Sequence, residues 1–267
     1  MAADDRHLST REWDAASYDR VSTPQARWAT PVLDHLSAEG VTRVLDAGCG
    51  SGRVTEALLE RLPQAHVVAL DGSRQMLDVA AQRLRPAVDT GRISFVHADL
   101  ALPLPLDEPV DAVVSTAAFH WVSDHDALFA NLAAVLCPGG QLVAQCGGAG
   151  NIASVVRVME SLGVTWYPWH FATPEEATQR LEAAGFGSVR AWLHDEPTAF
   201  ETSSPPTPGA THAPALEEFL ATVVLGDHLE RLPPDQRRPF VASVAAGLAE
   251  PVIDYVRLNL VAVRSDD

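Results

Sequence analysis

Short apolar runs alternate with stretches at helical spacing through residues 42–146, and that alternation predicts most of the fold. Thr42–Ala47, His66–Asp71, Ile93–Ala98, Asp111–Thr116 and Gln141–Cys146 read as strands. Between the first two, Val54, Ala57, Leu58 and Leu62 repeat at helical spacing until Pro63. Ser73 is placed to cap a helix whose apolar face is Met76, Leu77, Ala80, Ala81 and Leu84. Ser123-Asp124-His125-Asp126 opens another helix that turns Leu128, Leu132, Val135 and Leu136 inward, with His125 on the surface of its first turn. Pro138-Gly139-Gly140 is expected to end that helix before the fifth strand. Strands alternating with such helices predict a doubly wound, mostly parallel α/β sheet covered on both faces.

Beyond residue 150 the pattern loosens. Asn151 is placed to cap a helix through Met159, and Thr173-Pro174-Glu175-Glu176 carries the signature of a helix start. Gly185 stops that helix, and Gly187–Asp195 reads as a sixth strand. Residues 203–214 are rich in Ser, Pro, Thr and Gly and read as a loop or linker. Helical stretches over 215–231 and 234–249 follow, and Arg257–Arg264 alternates like a final edge or hairpin strand, the seventh. The sequence contains no internal repeat.

Composition narrows the function classes. The 267 residues suit one large domain, or one domain with a smaller insertion. Apolar stretches break well before the roughly 20 residues of a membrane span, and Asp4, Asp5 and Arg6 do not fit a signal peptide. A cytoplasmic protein is expected. The net charge of −16, with every basic side chain Arg, disfavours a nucleic-acid partner. Cys49, Cys137 and Cys146 have no metal-ligand spacing, so no metal is expected.

Candidate chemistry starts at Asp46-Ala47-Gly48-Cys49-Gly50-Ser51-Gly52, between the first strand and its helix. Open parallel sheets bind ligands at the carboxyl ends of their strands. Glycines there let the backbone approach a ligand and adopt positive φ. The spacing is G-x-G-x-G, neither the G-x-G-x-x-G of dinucleotide folds nor a P-loop, and it has no Lys. A diphosphate beside Asp46 would be repelled, whereas the sulfonium and amino group of S-adenosylmethionine would not. Asp71 ends the second strand, placed to accept from a ribose diol, and Asp99 ends the third, placed to accept from an adenine amine.

At this point the chain resembles the class I S-adenosylmethionine-dependent methyltransferases. The matching pieces are Val44–Gly52, Leu70–Leu77, Ala98-Asp99-Leu100 and Leu136–Gly140, in that order. The resemblance implies a Rossmann-like, seven-stranded methyltransferase fold with a helical insertion on the substrate side. It implies that Asp46, Gly48, Gly50 and Gly52 border the amino-acid moiety of the cofactor. Asp71 and Gly72 would hold the ribose, Met76, Asp99 and Leu100 would frame the adenine, and Ala117 would complete the cofactor site. Residues 1–40 would close over the cofactor with Tyr18 in contact, residues 41–200 and 251–267 would form the core, and 201–250 the insertion. A narrower similarity is to the trans-aconitate methyltransferase group, which methylates small carboxylic acids. It rests on Phe119–His125 and on segments around Glu218–Pro233 and Asp254–Arg257. His120-Trp121 departs from that group's Gln-Trp, and its expected Arg is replaced near Gly226-Asp227.

On the acceptor side, His120 is the candidate base or positioning group, with Trp121 as a pocket wall. Asn151, after Gly147-Gly148-Ala149-Gly150, would help offer backbone N–H groups to an anion. Arg257 suits a substrate carboxylate, and Trp169 belongs to an aromatic cluster, Trp166–Phe171, that would roof an apolar substrate or pack helices. The leading expectation is O-methylation of a small carboxylic acid by a monomer or homodimer. The alternatives are a C-, N- or phenol O-methyltransferase of secondary metabolism, an NAD-dependent oxidoreductase and a non-catalytic cofactor-binding protein.

Overall fold

The computed structural model describes residues 31–200 and 214–266. Its elements begin with β1 (Arg43–Ala47), α1 (Arg53–Arg61), β2 (His66–Asp71), α2 (Arg74–Arg83), α3 (Arg85–Asp89), β3 (Ile93–His97) and β4 (Val110–Thr116). A 3-10 turn at Phe119–Trp121 leads to α4 (His125–Val135), β5 (Leu136–Gly147), α5 (Ala153–Ser161), α6 (Pro174–Ala183), β6 (Phe186–Asp195) and β7 (Thr198–Ala199). From residue 214 on come α7 (Pro214–Phe219), a π-turn at Leu220–Val224, α8 (Gly226–Glu230), α9 (Pro234–Gly247), β8 (Val252–Ile253) and β9 (Val256–Arg264).

The main sheet has seven strands in the order β3-β2-β1-β4-β5-β9-β6, with β7 and β8 paired separately. Strands β1 to β5 pair in parallel, and β9 is antiparallel to both neighbours. Order reverses between β1 and β4, which is where an open sheet leaves a crevice beyond its strand tips. Alternation along each strand feeds two cores. Leu45, Val68, Leu70 and Val113 face one layer with Phe129 and Leu132, while Val44, Val67, Ala69 and Val114 face the other with Leu58 and Leu59.

The structure corrects four expectations. The last strand is interior, lying between β5 and β6, because Leu258, Leu260 and Ala262 on one of its faces are buried. Pro138-Gly139-Gly140 lies inside β5, whose pairing with β4 jumps from Val110↔Leu136 to Ala112↔Gln141. A Cβ on Gly140 would stand 2.8 Å from the Cys137 carbonyl, so the kink needs glycine. The helix after Gly150 starts at Ala153, behind Ile152 at φ 49°, so Asn151 does not cap it. The stretch at 215–231 is broken by the π-turn into two short helices. Other signals hold. Ser73 and Asp124 accept from the amides of Met76 and Ala127, and Thr173 with Glu176 completes a capping box.

A third core packs away from the sheet, where Val155 and Met159 of α5 meet Leu220, Val244, Ile253 and Tyr255. A Cβ on Gly247 would lie 2.4 Å from Val158, so the glycine lets α9 seat on α5. None of the described helices is long and apolar enough to cross a membrane.

The interior position of β9 has a measurable consequence. Leu260→Ala should cost about 2–5 kcal/mol, as for a fully buried leucine, whereas Thr173→Ala should cost about 1 kcal/mol as a lost cap. Urea titration of the two variants checks the difference; equal losses would contradict an interior β9.

Candidate functional site

The loop after β1 is drawn over the end of β2, because the amides of Gly48 and Cys49 both donate to the Leu70 carbonyl, at 2.8 and 2.9 Å. Gly48 sits at φ 81°, and a Cβ there would lie 2.3 Å from that of Ala118. The Asp71 carboxylate then locks the loop, accepting from the Gly50 amide and the Ser73 amide at 2.8 Å each. Asp46 lies beneath, buried, with the Thr55 hydroxyl donating to it at 2.7 Å. Burial pushes its carboxyl up to about 7; the Thr55 bond opposes the shift and nearby Asp71 adds to it.

A cavity of about 710 Å³ opens over these strand tips. The described wall includes Gly48 and Gly50 of the loop, Asp71, Gly72, Ser73 and Met76 after β2, and Asp99 and Leu100 after β3. Thr116, Ala117 and Trp121 border it beyond β4, Ala117 at φ 57° with its amide donating 2.7 Å to the Gln145 carbonyl. A non-glycine residue held there is strained backbone, kept by its surroundings at the cavity edge. Asp99 is buried and accepts from the Ala101 amide at 2.9 Å. The far end is bordered by Trp166, Tyr167 and Pro168 and by Asp227, Glu230 and Arg231 of the α8 region. Chemically, the wall combines hydrogen-bond-accepting carboxylates, an apolar slot at Met76 and Leu100, and glycine backbone open to close approach. Among the described residues no three His, Cys, Asp or Glu side chains converge as a metal site.

Nine residues expected at the site line this cavity: Gly48, Gly50, Asp71, Gly72, Met76, Asp99, Leu100, Ala117 and Trp121. Tyr18 lies outside the described residues. Others are turned into the framework behind the wall. Gly52 is the cap position of α1, where a Cβ would press within 3.1 Å of Ala80. Asn151 uses its side-chain carbonyl to accept from the Val256 amide at 3.0 Å, fixing the start of β9. Arg257 is 2% exposed, with Nε donating to Gln145 Oε1 at 3.3 Å, and so is an interior rather than an exposed strand residue. Trp169 is stacked between Tyr167 and Phe171, one layer behind the residues at the cavity edge.

His120 is also buried, its ring 5.3 Å from that of Trp121 and 5.9 Å from that of Phe171. Burial first, then Arg257 and His125, hold it well below the usual histidine range, so the ring is neutral. Nδ1 accepts the Gly147 amide at 3.3 Å, which leaves the ring proton on Nε2. His125, expected on the surface, is buried instead, with Nε2 on the Phe119 carbonyl at 3.0 Å. Its ring meets His170 edge to face at 4.6 Å, because α4 packs under the segment carrying Trp166–Phe171.

Trp166 and Tyr167 of the expected aromatic cluster border the cavity, and the residues there not singled out from the sequence are chiefly Thr116, Glu230 and Arg231. The aromatic cluster signalled the region, but its register toward the cavity depends on His228, whose Nε2 bonds the Trp166 carbonyl at 2.9 Å across the fold.

Residues 44–140 match the family described as a methyltransferase domain. The chain is 30% identical over 278 residues to the trans-aconitate 2-methyltransferase of Paracidovorax citrulli, covering 95% of this chain and 99% of that protein. It is 40% identical over 134 residues to the enzyme of the same name from Acidovorax ebreus, a match spanning about half of each chain, 50% and 49%. Among solved structures, a phosphoethanolamine N-methyltransferase of Haemonchus contortus bound to S-adenosyl-L-methionine superposes with TM-score 0.61 at 18% identity, over 94% of this chain and 57% of that one. The YcgJ protein of Bacillus subtilis does so with TM-score 0.60 at 16% identity, over 90% and 99%. Fold and site thus define the class I methyltransferases, whose cofactor is S-adenosylmethionine. The chain belongs to that family and is related within it to the trans-aconitate 2-methyltransferases.

Buried His125 makes the site's support acid-sensitive. Its ring titrates at about 4, lowered chiefly by burial, against about 6.5 in an unfolded chain. The unfolded state therefore binds more protons between these values, and the stability contribution is lost as pH falls from about 6.5 toward 4. Asp46 has the opposite sign, costing stability as pH rises from 3.8 to about 7. Urea unfolding at pH 7 and pH 5 should show His125→Gln losing less stability on acidification than the parent protein.

Proposed function

We propose that the chain O-methylates a small carboxylic acid, with its cofactor in the cavity over the tips of β1 to β4. One observation carries this reading: the glycine loop, two strand-end carboxylates and an aromatic acceptor wall border a single cavity. The residues present fit the cofactor. Asp71 is oriented by the Gly50 and Ser73 amides to accept from a ribose diol, each oxygen offering two lone pairs. Asp99 takes the adenine amine, Met76 and Leu100 hold the ring, and Gly48, Gly50 and Gly72 clear backbone for the rest. Ala117 completes that wall, and Asp46 and Gly52 support the loop from below. Tyr18 lies outside the described residues, and the helical stretch over 214–250 is an insertion on a core of 41–200 and 251–266.

When bound, S-adenosylmethionine supplies a methyl carbon to which an acceptor oxygen bonds while the carbon–sulfur electron pair returns to sulfur. A carboxylate acceptor is already ionised at neutral pH, so no base is required. His120 then acts as a neutral positioning group behind Trp121, its Nδ1 accepting from the Gly147 amide. Trp121 walls the acceptor and screens it from water, backed by Trp169 at 6.0 Å. Asn151 and Arg257 hold the β5–β9 framework under that wall. The cavity is fed by small molecules; a chain of charge −16 suits no nucleic-acid substrate.

Calorimetry should show S-adenosylmethionine binding that Asp71→Ala weakens at least tenfold, and a labelled-methyl screen should find ester formation on small acids. Turnover should stay flat from pH 6.5 to 9, and the loss in His120→Ala should not recover at high pH. Recovery at high pH would instead favour a phenol, amine or carbon acceptor, the second reading, because a lost base is then replaced by solvent.

A further inference from the structure

At the far end of the cavity a guanidinium lies on an indole. Cζ of Arg231 stands 3.3 Å from the Trp166 ring centroid, a van der Waals thickness, so the guanidinium plane must lie flat on the ring. Stacking leaves the in-plane N–H edge for a planar partner, which is the geometry that takes a carboxylate through two parallel hydrogen bonds. The indole is itself held, since His228 bonds the Trp166 carbonyl at 2.9 Å. Arg231 lines the cavity, and the other cation on the described wall is Arg53, the first residue of α1. The described wall carries four acids, Asp71, Asp99, Asp227 and Glu230, against two cations, Arg53 and Arg231, so acids outnumber cations before any substrate binds. The wall also carries aromatic rings, Trp121 and Tyr167 both bordering the space.

Resting on the carboxylate reading of the acceptor, we propose that Arg231 is a specificity residue that anchors a second carboxylate. The acceptor is then a dicarboxylic acid with a flat, apolar body. One carboxylate lies on Arg231 and the other is esterified at the cofactor end, giving a monoester. A tricarboxylate is disfavoured, because its third charge adds to a wall where acids already outnumber cations, in a protein already at −16.

Three planar probes separate the cases: trans,trans-muconate with two carboxylates, sorbate with one, and trans-aconitate with three. With the full chain, kcat/KM for muconate should exceed that for each of the others at least tenfold. Arg231→Ala should raise the muconate KM at least tenfold while kcat changes less than threefold, and should leave sorbate unaffected; Arg231→Lys should restore part of the loss. Calorimetry of muconate on the protein loaded with S-adenosylhomocysteine gives a readout independent of turnover and should show the same loss. Asp227→Asn combined with Glu230→Gln should raise trans-aconitate turnover. Aconitate turned over as well as muconate, or a muconate KM unmoved by Arg231→Ala, would overturn the anchor while leaving carboxylate methylation standing. Cofactor binding with no ester on any of the three acids would overturn both.

Discussion

The Asp71 carboxylate accepts from two amides on different loops, Gly50 after β1 and Ser73 after β2, and the site is organised around that bracket. It works only because the Gly48 and Cys49 amides have already turned the first loop onto the Leu70 carbonyl. The turn in turn needs Gly48, since any Cβ there would collide with Ala118 beyond β4. Three strand tips are therefore held against one another by backbone contacts through one glycine and one acid. The cavity is the space this arrangement leaves at the point where strand order reverses.

Around that bracket, burial sets the protonation states. Asp46 is pushed up to about 7 under the glycine loop, while His120 and His125 are held down beneath the aromatic wall. These groups lie behind the cavity surface rather than on it. They act through what they hold: Asp46 through Thr55 and α1, His120 through Gly147 at the end of β5, His125 through the Phe119 carbonyl. A neutral, hydrogen-bonded histidine under the wall fits a reaction that needs alignment and dryness more than proton transfer.

Much of the fold was legible from residue pattern. Strands β1 to β4 fall within a residue of their expected bounds, because a buried parallel strand is a short apolar run between turn signals. Pro138–Gly140 misled for the opposite reason: its residues signal a break, yet a register jump against β4 absorbs them into β5. His125 looked like a first-turn surface residue, since nothing local announces that His170 will cover it.

The sequence by itself determined the parallel core, the glycine loop with its strand-end acids, and hence the cofactor class, because these features are local and set by spacing along the chain. Only the tertiary structure decided which side chains face the cavity. Arg257 and Asn151 became framework because β9 enters between β5 and β6 as an interior strand, a pairing between residues far apart in sequence. Arg231 reached the cavity because Trp166, held by His228 from the same helical region, lies beneath it. The glycine loop repeats a local spacing, whereas a cavity wall assembled from distant segments leaves no such period to read.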